Sequence, residues 1–121
     1  MEKIRRLDNR ILEYIQKRIR CPFLDKVMPF HPVTGEVVGN GMKEQAVQTL
    51  ANMKAVLEAA GLAVTDIAKT TVFVTNMDDF AAFNEVYAAF MGEHRPARVC
   101  VEVSNIAHGC LLEMDAICFK E

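Results

Sequence analysis

Arg98-Val99-Cys100-Val101-Glu102-Val103-Ser104 alternates polar and apolar residues without a break. In a strand, that alternation puts Val99, Val101 and Val103 on one face, expected to be core, and Arg98, Cys100, Glu102 and Ser104 on the other. An arginine leading a polar strand face suits the grip of a carboxylate, because its planar guanidinium donates two parallel N–H bonds. The same spacing also fits a surface salt bridge from Arg98 to Glu102 or to a second subunit. In the last apolar run, Glu113 and Asp115 share a face with Leu111, Ile117 and Phe119, an odd place for two carboxylates if that face is buried. With Arg98's strand beside it, Glu113 is expected to act as the acid/base that handles a water or an amine; a cross-strand salt bridge is the alternative. Cys100 shares Arg98's face. A thiol nucleophile needs a histidine or a helix N-terminus close by, and none is evident, so a packing or pocket-lining role is expected.

Other chemistries find little support. The four cysteines (Cys21, Cys100, Cys110, Cys118) form no CxxC pair, and His31, His94 and His108 are scattered, so reduced thiols and no metal are expected. His108 has the setting of a solvated loop histidine. There is no Ser/His/Asp arrangement and no glycine-rich phosphate loop.

The elements that must position these residues follow from periodicity. Ile4, Leu7, Ile11, Ile15 and Ile19 make one helical stripe, predicting an amphipathic helix over 4–20 that ends near Cys21-Pro22. Residues 29–41 are rich in Pro and Gly, with a turn expected at Val33-Thr34-Gly35 and a short extended piece at Glu36–Val38. Met42–Ala60 carries Ala46, Val47, Leu50, Met53, Val56 and Leu57 at steps of three and four, closed by Gly61. Lys69–Thr75 is rich in β-branched residues and predicts a central strand. Asp78 is expected to cap a second helix with Phe80, Phe83, Val86, Tyr87 and Phe90 on one face, stopping at Gly92. Arg98–Ser104 and Leu111–Phe119 then form two strands, expected to pair as a hairpin. This order predicts an α+β fold, a mixed sheet with two helices on one face.

With 121 residues, half of them hydrophobic, the chain suits a single core. Residues 1–20 carry seven Lys/Arg against three Asp/Glu, so the remaining 101 sum to −6. An acidic body argues against a nucleic-acid partner, whose phosphates need a basic face. Apolar stretches fall short of the roughly 20 residues of a membrane span, and no signal-peptide pattern opens the chain, so a cytoplasmic protein is expected.

The stretches MPFHPVTGEVVG, EQAVQTLANMKAVLEAAG, DIAKTTVFVTNMDDFAAFNEVYAAF, RPARVCVEV and LLEMDAI together resemble the RidA (YjgF) family of imine and enamine deaminases, in order and nearly without gaps from Met28 to the end. The resemblance implies a chorismate-mutase-like fold, a homotrimer with ligand sites between subunits, and no cofactor. It implies hydrolysis of 2-iminobutanoate or 2-iminopropanoate to a 2-keto acid and ammonia. It assigns the substrate carboxylate to Arg98, pocket lining to Cys100, and positioning of the attacking water to Glu113. Residues 28–121 would be this domain. Residues 1–27 depart from it: Asp25-Lys26-Val27 stand where the family carries a pocket serine in SGQ, and a helix would replace the usual first hairpin. RRLDNRILEYIQKRIRCPFLDKVMPF instead resembles the start of phosphatidic acid phosphatase type 2 membrane enzymes. A noncatalytic carboxylate binder with an incomplete pocket is the alternative function.

Overall fold

The computed structural model describes residues 22–120. The helix expected over 4–20 lies outside them. Four strands and two α-helices follow in the order β1 (Phe23–Val27), α1 (Met42–Ala59), β2 (Ile67–Val74), α2 (Phe80–Met91), β3 (Ala97–Glu102) and β4 (Leu112–Cys118). The sheet order is β1-β4-β2-β3: β2 and β3 run parallel, and the other neighbours are antiparallel. The mixed sheet with both helices packed on one face agrees with the α+β expectation.

Three local expectations change. Phe23–Val27, taken as linker, pairs with β4 as an edge strand, with a register shift between Leu24 and Val27 and left-handed backbone at Lys26 (φ 53°). Asn76, not Asp78, caps the second helical unit: its side chain accepts the Asp78 N–H at 3.0 Å and starts a 3-10 turn at Met77–Asp79 that leads into α2. The hairpin of the last two strands does not form. A helix between β2 and β3 gives the crossover that parallel neighbours require, so β3 takes one side of β2. β4 takes the other, inserting between β1 and β2.

Helix α1 ends as Gly61 predicts, with φ at 73°, Gly61 N–H bonding the Glu58 carbonyl and Leu62 N–H that of Leu57. Its buried face differs in detail. Gln45 and Thr49 are buried, whereas Val47 and Val56 are about half exposed. The Gln45 amide explains this: it donates to the Gly39 carbonyl and accepts from Leu111 N–H, tying the glycine-rich loop and the entry to β4 to the helix. Asn52 ties down the same loop by donating to the carbonyls of Met28 and Phe30. The core lies between this layer and the inner sheet face, where Ala46, Leu50, Met53 and Leu57 meet Phe83, Val72, Val74, Leu112 and Met114. Each large side chain removed from water there contributes roughly 1.5–3 kcal/mol.

Among the described residues, no helix covers the outer sheet face. Register rows place Glu113, Phe73 and Val101 side by side, then Asp115, Thr71 and Val99. Val99 and Val101 are 45% and 37% exposed, and Phe23 and Ile117 on the same face 57% and 41%. The alternation in β3 is thus as expected, but its faces are exchanged: the valines face outward and Arg98 and Cys100 face the helices.

Candidate functional site

Arg98 stands opposite Thr70, and Thr70 is fully buried beneath α2. The arginine therefore emerges at the sheet edge under that helix. Its guanidinium carbon lies 4.7 Å from the centre of the Tyr87 ring and 5.1 Å from that of Phe80, and Nη1 donates to the Asn84 side-chain oxygen at 2.6 Å. Phe80, Asn84 and Tyr87 fall at steps of four and three, the spacing of one helix face. Cation–π contact and one hydrogen bond hold the guanidinium plane while leaving most of its five donors unused. Tyr87 is anchored in turn, its hydroxyl 2.8 Å from the Thr70 hydroxyl.

Beside Arg98 a cavity of about 460 Å³ opens between α2 and the start of β3, lined among others by Asn84, Tyr87, Met91, His94, Arg95 and Arg98. His94 Nε2 lies 2.7 Å from the Ile67 carbonyl oxygen, fixing the loop to β2. Its composition suits an anion: two arginines and an amide beside Tyr87, with no carboxylate among the described lining residues.

Cys100 lies on the same sheet face, opposite Val72, half-buried. Burial pushes its thiol up, and the neighbouring Arg98 charge pulls it partly back. A thiol held protonated is a poor nucleophile. Among the described residues no cluster of three His, Cys, Asp or Glu side chains is placed to hold a metal ion.

Glu113 is not beside Arg98. It stands opposite Phe73, half-buried on the outer face, with β2 lying between its strand and Arg98's. Within one protomer, Arg98 and Glu113 point to opposite sides of the sheet. The expectation of adjacent strands fails because β4 pairs across β2 rather than with β3. Asn84, Tyr87, Phe80, His94 and Arg95 were missed as site residues, although the helical spacing that marks Phe80 and Tyr87 as one face was visible; it pointed to core alone.

Residues 27–120 match the family model described as Endoribonuclease L-PSP. The chain belongs to that family. It is the RidA (YjgF) family of the sequence resemblance. A RutC family protein of Pyrococcus horikoshii is 48% identical over 99 residues, 82% of this chain and 79% of that protein. The 2-iminobutanoate/2-iminopropanoate deaminase of Escherichia coli K12 is 48% identical over 96 residues, 77% of this chain and 74% of that enzyme. The crystal structure of Escherichia coli TdcF with bound serine superposes with a TM-score of 0.77 at 42% identity, covering 82% of this chain and 80% of that one. The RidA-family match starts at residue 27, and these relatives give no support to the phosphatase resemblance of residues 1–30. No helix among the described residues is long and apolar enough to cross a membrane.

Proposed function

We propose that this protein is a cytoplasmic, cofactor-independent deaminase that hydrolyses small 2-imino and 2-enamine acids, such as 2-iminobutanoate and 2-iminopropanoate, to 2-keto acids and ammonia. The carrying observation is Arg98, fixed by Asn84 and two aromatic rings at the mouth of a cavity whose described lining holds no acid. A guanidinium so held grips a carboxylate without first losing its own conformational freedom. The activity of the Escherichia coli relative and the serine in TdcF favour an amino-acid-like carboxylate ligand.

Glu113 is the acid/base of this reading. Because it lies on the face opposite Arg98, it reaches the substrate on Arg98 from a second copy, in a homotrimer whose subunits cover one another's apolar outer sheet faces. Water oxygen bonds to C2 as the C=N π electrons move onto nitrogen, which takes up a proton, giving a carbinolamine. Glu113 carries that proton, accepting it from the water and passing it to nitrogen. The carbinolamine hydroxyl then gives its proton, again by way of Glu113, to the nitrogen as the C=O bond forms and the C–N bond breaks, so that ammonia leaves. A placed proton carrier contributes about 10²–10⁴-fold to such a step. Backbone at Cys100 lines the substrate's other side.

The test is ammonia release from 2-iminobutanoate made in situ by an amino-acid oxidase. Acceleration by the full chain is expected to vanish in Arg98→Ala, with a loss of about 2–5 kcal/mol in transition-state binding, and in Glu113→Ala. Refolding the two inactive variants together restores intact sites, about a quarter of them by random assortment in a ring of shared interfaces. Unchanged kinetics in Arg98→Ala would sink the site, and no recovery on mixing would sink its sharing between copies. The separation of Arg98 from Glu113 favours a second reading, a noncatalytic carboxylate binder. In that case the folded protein accelerates nothing, yet Glu113→Ala keeps its affinity for a 2-keto acid.

A further inference from the structure

Arg98 is not the only cation facing its cavity. Arg95 lines it too, three residues earlier in Arg95-Pro96-Ala97-Arg98. Strand alternation would put residues three apart on opposite faces, but β3 begins only at Ala97. Arg95 therefore precedes the strand and escapes its alternation, and both side chains border the same space. Arg95 is also held in place: its Nη1 donates to the carbonyls of Gly92 and His94 at the end of α2, where the helix dipole favours a cation. Those bonds use one of its three nitrogens and leave the donors on Nε and Nη2 to spare.

Both guanidiniums are thus held by neutral acceptors, and within one protomer the described residues lining the cavity include no acid. A monocarboxylate neutralises one of them. A ligand with two acidic groups neutralises both. The cavity of about 460 Å³ has much more room than a three- or four-carbon acid fills.

We infer that the preferred substrates are 2-imino diacids, with the C1 carboxylate on Arg98 and the side-chain carboxylate on Arg95. The inference rests on the deaminase reading of the same site and gives Arg95 the role of a specificity-determining residue. The chemistry at C2 is unchanged, so the class of reaction that supplies these substrates is oxidation or dehydration that leaves an imine on an acidic amino acid.

Imines are generated in situ by suitable oxidases from aspartate or glutamate on one side and from alanine or 2-aminobutyrate on the other. The wild-type chain is expected to favour the diacid imines in kcat/KM by about tenfold or more, a modest factor because Arg95 is solvent-exposed. In Arg95→Gln the ratio of diacid to monoacid kcat/KM falls toward one, through KM, and Arg95→Lys restores part of it. A ratio that Arg95→Gln leaves unchanged overturns the inference while acceleration of the monoacid imine keeps the deaminase reading intact. Calorimetric binding of a 2-keto diacid and a 2-keto monoacid gives a second readout. If no imine is accelerated, the deaminase reading fails, and Arg95-dependent preference for the keto diacid still decides the binding role of Arg95: its presence supports the two-arginine site, and equal affinities for the two acids remove it.

Discussion

At Arg98 the ring of Tyr87 and the amide of Asn84 together set the direction of the guanidinium, so its donors face the cavity before any ligand arrives. The Tyr87 hydroxyl does a different job. It pairs with the fully buried Thr70 hydroxyl, and removing it leaves that group without its partner. Tyr87→Phe keeps the ring beneath Arg98, so it is expected to lower stability by about 1–3 kcal/mol while changing KM for an imino acid less than twofold. Denaturant unfolding and steady-state kinetics on the same sample check this. A large KM change with unaltered stability would show that the hydroxyl, rather than the ring, positions Arg98.

At the level of elements, α2 is the arm that carries Phe80, Asn84 and Tyr87 to Arg98, and its start is fastened twice. Asn76 accepts the Asp78 N–H, and Glu102 at the end of β3 accepts the Met77 N–H at 2.7 Å. The strand that bears Arg98 therefore also holds the turn that launches its supporting helix. Asn76→Ala removes one of these fastenings and is expected to cost about 0.5–2 kcal/mol, visible as a lower denaturant midpoint at unchanged slope. An unchanged midpoint would mean that Glu102 alone secures the turn. The switch from Asp78 to Asn76 as cap lengthens the helical unit by a 3-10 turn without shifting the face that Phe80, Phe83 and Tyr87 present, which is why that face was legible despite the error in its cap.

For the whole molecule, the outer sheet face is where the proposed trimer brings its copies together. Phe23, Val99, Val101 and Ile117 lie uncovered on it, with Glu113 in the row of Val101. In a lone protomer a lysine at position 101 replaces a side chain already 37% exposed, so folding stability should change by only about 0.5 kcal/mol or so. In the proposed trimer the same substitution puts a charge among buried apolar groups. Val101→Lys is therefore expected to dissociate the assembly and abolish deaminase activity together, as read by sedimentation and ammonia release. A variant that stays assembled and active would place the interface elsewhere.

Helices α1 and α2, most of the strands and the identity of the carboxylate-binding candidate were legible from sequence. These rest on short-range physics: side chains three and four apart share a helix face, Gly61 adopts the left-handed backbone that ends α1, and alternation through Arg98–Ser104 sorts one strand into two faces. Alternation cannot say which face is inward. That depended on α2 crossing over to make β3 a parallel neighbour of β2, which turned Arg98 and Cys100 toward the helices and the valines outward. Nor could sequence order show that β4 would insert between β1 and β2, separating Glu113 from Arg98 by a strand and by the thickness of the sheet. Arg95, outside any regular element, carried no periodic signal at all; only the tertiary packing of α2 against the entrance to β3 set it beside Arg98.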